Sequence, residues 1–217
     1  MPTNPHPGRL ITFEGGEGAG KSTQQALLAR RLRDRGLDVV TTREPGGCPL
    51  AEEIRRWLVG GQPGTMSART ELLLILAARV AHVEQMILPA LQRGAWVLCD
   101  RFLDSTVAYQ GHGRGLDLAL LHQWHEWALG SLIPDRTLLL DIAPEVGLAR
   151  AGRAVSAGSH PDRFEQETLA FHQRVRAGFQ ALARESPERI CIVDAVQAVA
   201  QVENQIGMAI RDLFVDP

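Results

Sequence analysis

The run Leu10-Ile11-Thr12-Phe13-Glu14-Gly15-Gly16-Glu17-Gly18-Ala19-Gly20-Lys21-Ser22-Thr23 decides how this chain folds. Leu10 to Phe13 is apolar or β-branched and predicts a strand. A helical pattern runs from Ser22 to Arg35. Strand, glycine loop and helix, in that order, are the context in which G-x-x-x-x-G-K-[ST] binds phosphate. The glycines let backbone N–H groups turn inward without a Cβ in the way. Lys21 is placed to reach the β- and γ-phosphates of a nucleotide, the Ser22 hydroxyl suits Mg²⁺, and the helix directs its positive dipole end at the anion. A glycine-rich turn with a surface lysine would explain the composition of this stretch but not its placement.

Outward from the loop, apolar runs and helical patterns alternate. Val39-Val40-Thr41-Thr42, Trp96-Val97-Leu98-Cys99, Thr137 to Ile142 and Ile190-Cys191-Ile192-Val193 predict four further strands. The continuous apolar runs among them imply strands covered on both faces. Helices are expected over about Leu50 to Leu58, Ala68 to Gln92, Leu116 to Leu129, from Pro144, and across Phe171-Val175-Phe179-Leu182. A last helix buries Val199, Val202, Ile206, Ile210 and Leu213. In the long helix Leu73, Leu76, Val80, Val83, Ile87 and Leu91 recur at steps of three and four, a buried stripe, with Pro89 as a kink or stop. Between Asp100-Arg101 and Leu116 the expectation is a polar loop. Gly152 to Pro161 reads as a mobile segment, giving a lid at about 150–163. The implied architecture is one α/β domain over 9–217, a five-stranded parallel sheet with helices on both faces, of the P-loop NTPase kind. Ligands in such folds sit at the carboxyl ends of the strands, where the phosphate loop, Arg43-Glu44, Asp100-Arg101 and Asp194 fall.

Composition narrows the function. The 217 residues suffice for one domain with a full core. A formal net charge of −2 gives no electrostatic case for nucleic acid or an anionic membrane as partner. No apolar run reads as a bilayer span, and residues 1–8, with three prolines, read as a disordered tail rather than a secretory signal. The three cysteines, Cys48, Cys99 and Cys191, show no paired spacing, which fits free thiols in a reducing, cytoplasmic setting. Cys99 and Cys191 read as packing residues and Cys48 as a more exposed loop thiol.

A phosphate loop names a nucleoside triphosphate and leaves open what receives the γ-phosphate. No N-K-x-D guanine-reading element is present. Asp100, closing a buried strand, can hold Mg²⁺ through water or orient an arginine. Arg79 lies against the apolar stripe of the long helix, where arginine needs an anionic partner. Arg150, Arg153 and Arg163 border the expected lid and could neutralise a transferring phosphoryl group.

These residues resemble one family. Phe13 to Thr23 looks like the opening of thymidylate kinases. Arg43-Glu44-Pro45-Gly46-Gly47, Ala77-Ala78-Arg79-Val80, Asp100-Arg101-x-x-x-Ser105-x-x-Ala108-Tyr109-Gln110 and Asp162-Arg163-Phe164-Glu165 follow in the family's order. The resemblance implies transfer of the γ-phosphoryl of ATP to dTMP with Mg²⁺, in a homodimer. It implies ATP binding by Gly15 to Thr23, with Ser22 and Asp100 at the metal and Lys21, Arg101, Arg150 and Arg153 acting in transfer. It implies an acceptor site of Glu17, Arg43, Pro45, Ile75, Arg79, Arg101, Ser105, Thr106, Tyr109 and Gln110. Within it Glu17 meets the sugar 3′-hydroxyl, and Tyr109, the only tyrosine, packs on the deoxyribose. The loop has no basic residue before Lys21 and arginines flank the lid, which resembles members that carry their catalytic arginine there.

Three positions depart from the family pattern. Ile75 stands where an aromatic ring usually stacks on thymine. Ala81 replaces a polar residue, removing a contact near the acceptor. Cys48-Pro49 replaces a Ser or Thr and brings a thiol toward the acceptor. Ile75 keeps open another monophosphate acceptor, such as dUMP or dGMP. A nucleotide-binding subunit without turnover is the alternative of a different class.

Overall fold

A computed structural model describes residues 6–60, 62–155 and 162–214, apart from the side chains of 153–155. Five strands form one parallel sheet: β1 (Arg9–Glu14), β2 (Val39–Arg43), β3 (Trp96–Asp100), β4 (Arg136–Asp141) and β5 (Ile190–Asp194), in the order β2-β3-β1-β4-β5. All pairings are parallel, and the register sets Phe13 and Arg43 each beside Asp100. The first strand is therefore central, and the loop that leaves it opens where its neighbours diverge.

Side-chain alternation explains the two covered faces. On one face Ile11, Phe13, Leu138, Leu140 and Val193 pack against α1 (Lys21–Arg33) and α9 (Val199–Ala209) through Leu28, Leu32, Val202 and Ile206. On the other, Leu10, Val97 and Cys99 meet Val83, Ile87, Leu91 and Phe102. Further along that face Leu139 joins Val107, Tyr109 and the Phe171-Val175-Phe179 side of α8 (Leu169–Glu185). Thr12 and Thr137, buried on neighbouring strands, bond hydroxyl to hydroxyl at 2.8 Å.

The long helix departs from expectation. It comprises α3 (Ala68–His82), a π-helical turn at Val83–Ile87 and α4 (Leu88–Gln92). Pro89 has no N–H to give and crowds the preceding turn, which widens instead of breaking. Leu76, Val83, Ile87 and Leu91 are buried as expected, but Leu73 is exposed and Leu72 takes the inner position. Glu71, Arg79 and His82 are buried as well, so the inner face mixes apolar and polar side chains. By length and composition Ala68–Gln92 is apolar enough to cross a membrane; half of that stretch is buried inside the protein.

The stretch expected as a polar loop is helical: α5 (Leu103–Thr106) and a π-helix over Val107–Gly113. It packs between α8 and the sheet, and burial satisfies what its glycines and polar side chains disguise. Two other helices, α2 (Pro49–Val59) and α6 (Leu118–Leu129), fall where the sequence placed them; α7 (Pro144–Val155) starts as expected but runs through Gly152 to Val155, the first part of the stretch read as a mobile segment. Gly8, assigned to the tail, is buried and donates its N–H to Leu91 O at 3.0 Å. In the last helix Val199 is exposed. Cys48 is buried against Ala51, Ile54 and Ile75, not exposed. Ala81 packs in the same cluster.

Candidate active site

The phosphate loop is shaped by close backbone packing. Gly15 adopts φ 133°, and a Cβ there would overlap the Leu140 carbonyl. Gly18 adopts φ 65° and lies against Gly147 of α7, so closely that a side chain on either would overlap the other segment's backbone. Lys21 is buried, with Nζ donating to Gly15 O at 3.2 Å and Gly16 O at 2.9 Å. Burial and the nearby Arg101 charge hold its pKa below the usual lysine range. The Ser22 hydroxyl donates to Asp100 Oδ2 at 2.7 Å.

Arg101 links this loop to the rest of the site. It is the one described non-glycine residue with positive φ, 69°, a conformation that side chains adopt at a cost and that recurs at functional positions. Its guanidinium donates to Gly15 O at 3.1 Å and Glu17 Oε1 at 2.7 Å, and lies 4.9 Å from the Tyr109 ring centre. Tyr109 Oη donates to the same Glu17 oxygen at 2.7 Å. Burial pushes the Glu17 pKa up, but Arg101 and Lys21 outweigh it and hold the carboxylate at about 2. Burial also pulls the Arg101 guanidinium down, and Glu17 reverses that, raising it above its ordinary value. Burial keeps the Tyr109 phenol protonated far above neutral pH, so it donates.

Arg79 is buried. It donates to Glu44 Oε2 at 2.6 Å, Thr106 Oγ1 at 2.9 Å and Phe102 O at 3.0 Å. Its fourth partner is His125 Nε2 at 3.0 Å. Arginine has no acceptor, so that nitrogen must accept. Burial and the Arg79 charge fit this, pulling His125 down to about 3 and keeping the ring neutral. Glu44 also takes His82 Nδ1 at 3.0 Å.

One cavity of about 390 Å³ gathers these groups. Glu17 to Thr23 and Asp100 line one part of it. Arg43, Pro45, Ile75, Arg79, Arg101, Ser105, Thr106, Tyr109 and Gln110 line another part, and Arg55, Asp162 and Glu165 also border it. Gly15 and Gly16 do not line it: Gly15 O receives both Lys21 and Arg101, and Gly16 O receives Lys21. Arg43 is half-exposed and tied to Glu52 at 2.9 Å.

Several candidates fall elsewhere. The Arg150 guanidinium donates to Ala195 O at 2.8 Å and Val196 O at 3.2 Å, away from the loop. The Arg153 side chain and residues 156–161, the middle of the expected lid, lie outside the described residues. Arg163 is a buried anchor rather than a phosphate ligand: it donates to Leu58 O at 2.9 Å and pairs with Glu71 at 2.7 Å. Asp194 is turned into its own loop, accepting from Val196 N. Cys48 and Ala81 do not line the cavity.

Sequence reasoning missed Glu14 and Glu71. Glu14 accepts from Phe102 N and Ser105 N and from the Ser105 hydroxyl. Burial, reinforced by Asp104, raises its pKa to about 8 against those hydrogen bonds. Glu71 stands four residues before Ile75 and eight before Arg79, on one helix face; that spacing was the available signal.

Comparison with known proteins agrees with this geometry. A family model described as thymidylate kinase matches residues 13–206. The chain belongs to the thymidylate kinase family. It is 54% identical over 207 residues to the thymidylate kinase of Magnetococcus marinus, covering 95% of this chain and 97% of that one. It is 55% identical over 205 residues to that of Thermomicrobium roseum, covering 94% and 95%. The crystal structure of thymidylate kinase from Ehrlichia chaffeensis aligns with a TM-score of 0.75 at 32% identity, over 94% of this chain and 98% of that one. Family membership accounts for the motifs, and Ile75 lies at the cavity wall.

Proposed function

We infer that this protein transfers the γ-phosphoryl group of ATP to dTMP, giving ADP and dTDP. The observation that carries the reading is one cavity lined by both the phosphate loop and the Arg79-Tyr109-Gln110 set, joined by the Arg101–Glu17 pair. In the reaction an oxygen of the dTMP phosphate attacks the γ-phosphorus; the new O–P bond forms as the bond to the β-phosphate oxygen breaks, and ADP leaves. No side-chain nucleophile is required, so catalysis is alignment and charge neutralisation. Lys21 holds the donor phosphates, Arg101 the acceptor phosphate, and Glu17 the 3′-hydroxyl. Tyr109 packs on the deoxyribose. Arg153, with Arg150 as second candidate, neutralises the transferring group.

Mg²⁺ fits the oxygen donors at Ser22 and Asp100. Among the described residues no cluster of three or more metal-ligating side chains forms. Such a donor set suits an ion held mainly by nucleotide phosphates and water. The bound ion would supply charge neutralisation between the phosphates. We also read the protein as a cytoplasmic homodimer. Leu73 on α3 and Leu120 and Trp127 on the neighbouring α6 are exposed apolar side chains, Trp127 at 87%. Sedimentation at micromolar concentration tests this; a monomer there removes the dimer.

The activity is tested by ADP release with dTMP, dUMP, dGMP, AMP and CMP as acceptors. Turnover should be fastest with dTMP, and dUMP should follow, because the 5-methyl group contributes only about 0.8 kcal/mol of burial. Preference for another acceptor would reassign the substrate, and ADP release independent of any acceptor would end the kinase reading.

A further inference from the structure

Gln110 and Glu71 together carry a property that the phosphate chemistry does not use. Glu71, on α3, is completely buried. Its Oε1 accepts from Gln110 Nε2 at 2.7 Å and Arg114 Nε at 3.2 Å. Its Oε2 takes Arg114 at 3.2 Å and Arg163 at 2.7 Å. A carboxylate paired with two guanidinium groups accepts and does not donate. An amide has two ends of nearly equal shape and opposite hydrogen-bonding sense, and its neighbours decide which end points where. With Glu71 taking the NH₂ end, Gln110 Oε1 is the end left over. It has no hydrogen-bond donor among the described residues and is not sealed from the cavity that Gln110 lines.

We propose that Glu71 is a positioning residue that locks the Gln110 amide so that Oε1 faces the acceptor base, selecting bases with a ring N–H. The inference rests on the dTMP reading of the cavity. Thymine and uracil carry a hydrogen on N3 and satisfy the carbonyl. Cytosine presents a lone pair at N3, so two acceptors meet and both lose their water. Arg114 and Arg163 hold the carboxylate in place, and neither lines the cavity.

The test is kcat/KM for dTMP and dCMP in the wild type, Glu71→Gln, Gln110→Met and the double variant. An amide at 71 can donate as well as accept, so Gln110 is free to turn. Glu71→Gln should raise the dCMP-to-dTMP ratio by about tenfold, the scale of one discriminating hydrogen bond, mainly through KM. In the Gln110→Met background it should change the ratio no further. Arg114→Met removes one of the two guanidinium groups from the ion cluster while Arg163 still pairs with the carboxylate and the carboxylate–amide bond stays, so it should leave the ratio unchanged. A purely structural role would lower both acceptors together. A ratio unmoved in Glu71→Gln, or moved equally in the Gln110→Met background, overturns the lock. Should Glu71→Gln not fold, the wild-type crystal structure with dTMP decides: Oε1 at hydrogen-bond distance from N3 supports the lock, and N3 facing any other group refutes it. Wild type that phosphorylates no pyrimidine monophosphate refutes the acceptor reading and the lock with it; wild type selective for dTMP with an unmoved ratio refutes the lock alone.

Discussion

Glu14 and Glu17 are three residues apart and titrate in opposite senses, because one is buried beside a carboxylate and the other beside two cations. Glu14 has an ordinary value of 4.5 and rises to about 8 in the fold. Between those values the folded chain holds a proton that the unfolded chain has lost, so stability falls as pH rises. Gln at position 14 copies the protonated acid: its NH₂ can donate to Ser105 and its oxygen can accept from Phe102 N. Glu14→Gln should therefore gain on the wild type as pH rises across that window, measured by urea unfolding at several pH values. A constant difference would show that Glu14 does not carry a raised pKa. Glu17, held at about 2, works the other way: its contribution is present above 4.5 and is lost only as pH falls toward 2. At the cavity wall, Ile75→Phe should tighten dTMP by an amount on the order of 1–3 kcal/mol, the worth of stacking on a base, read by calorimetric titration. No gain would mean the base does not lie over position 75.

The elements divide by how their partners are encoded. The five strands and the phosphate loop were legible because their signals are local: continuous apolar runs, and glycines at fixed offsets. Val107–Gly113 was not. Tyr-Gln-Gly-His-Gly reads as part of a polar loop, yet the segment is packed on several sides, and only tertiary contact makes it helical. At Gly113 a Cβ would come within 2.7 Å of the Phe171 ring and 3.0 Å of Val175. That ring is buried and sits against Tyr109, so it cannot swing aside. Gly113→Ala should cost about 1–3 kcal/mol by overpacking, measured by urea denaturation, and should lower turnover through Tyr109 on the same element. Of the site, the residues in motifs were legible. The buried acids were not, because a glutamate announces burial only through the arginines and amides that reach it from elsewhere in the chain. Cys48 shows the same limit from the other side: its loop reads as exposed, and α2 covers it.

At the scale of the molecule, strand order does most of the assembly. With β1 central, residues 14–22, 43–45 and 100–101 converge on one edge, and α3 and the π-helix close the cavity from the side. The acidic loop supplies no cation before Lys21, and the proposed function assigns the charge on the transferring phosphoryl to Arg153, with Arg150 as second candidate. Arg153→Ala should lower kcat by more than it weakens ATP binding, compared by steady-state kinetics and nucleotide titration. A kcat unchanged from wild type in both Arg153→Ala and Arg150→Ala would move that role elsewhere. The contact between Gly18 and Gly147 has a consequence for anyone seeking hardier variants. Alanine is ordinarily the better helix residue, by about 1 kcal/mol over glycine, so a thermostabilising library would nominate Gly147→Ala in α7. Here the added methyl would strike the Glu17 carbonyl, 130 residues away in the sequence. Thermal melting and kcat of that single variant should both fall, making an unremarkable helix position one of the most constrained points on the chain.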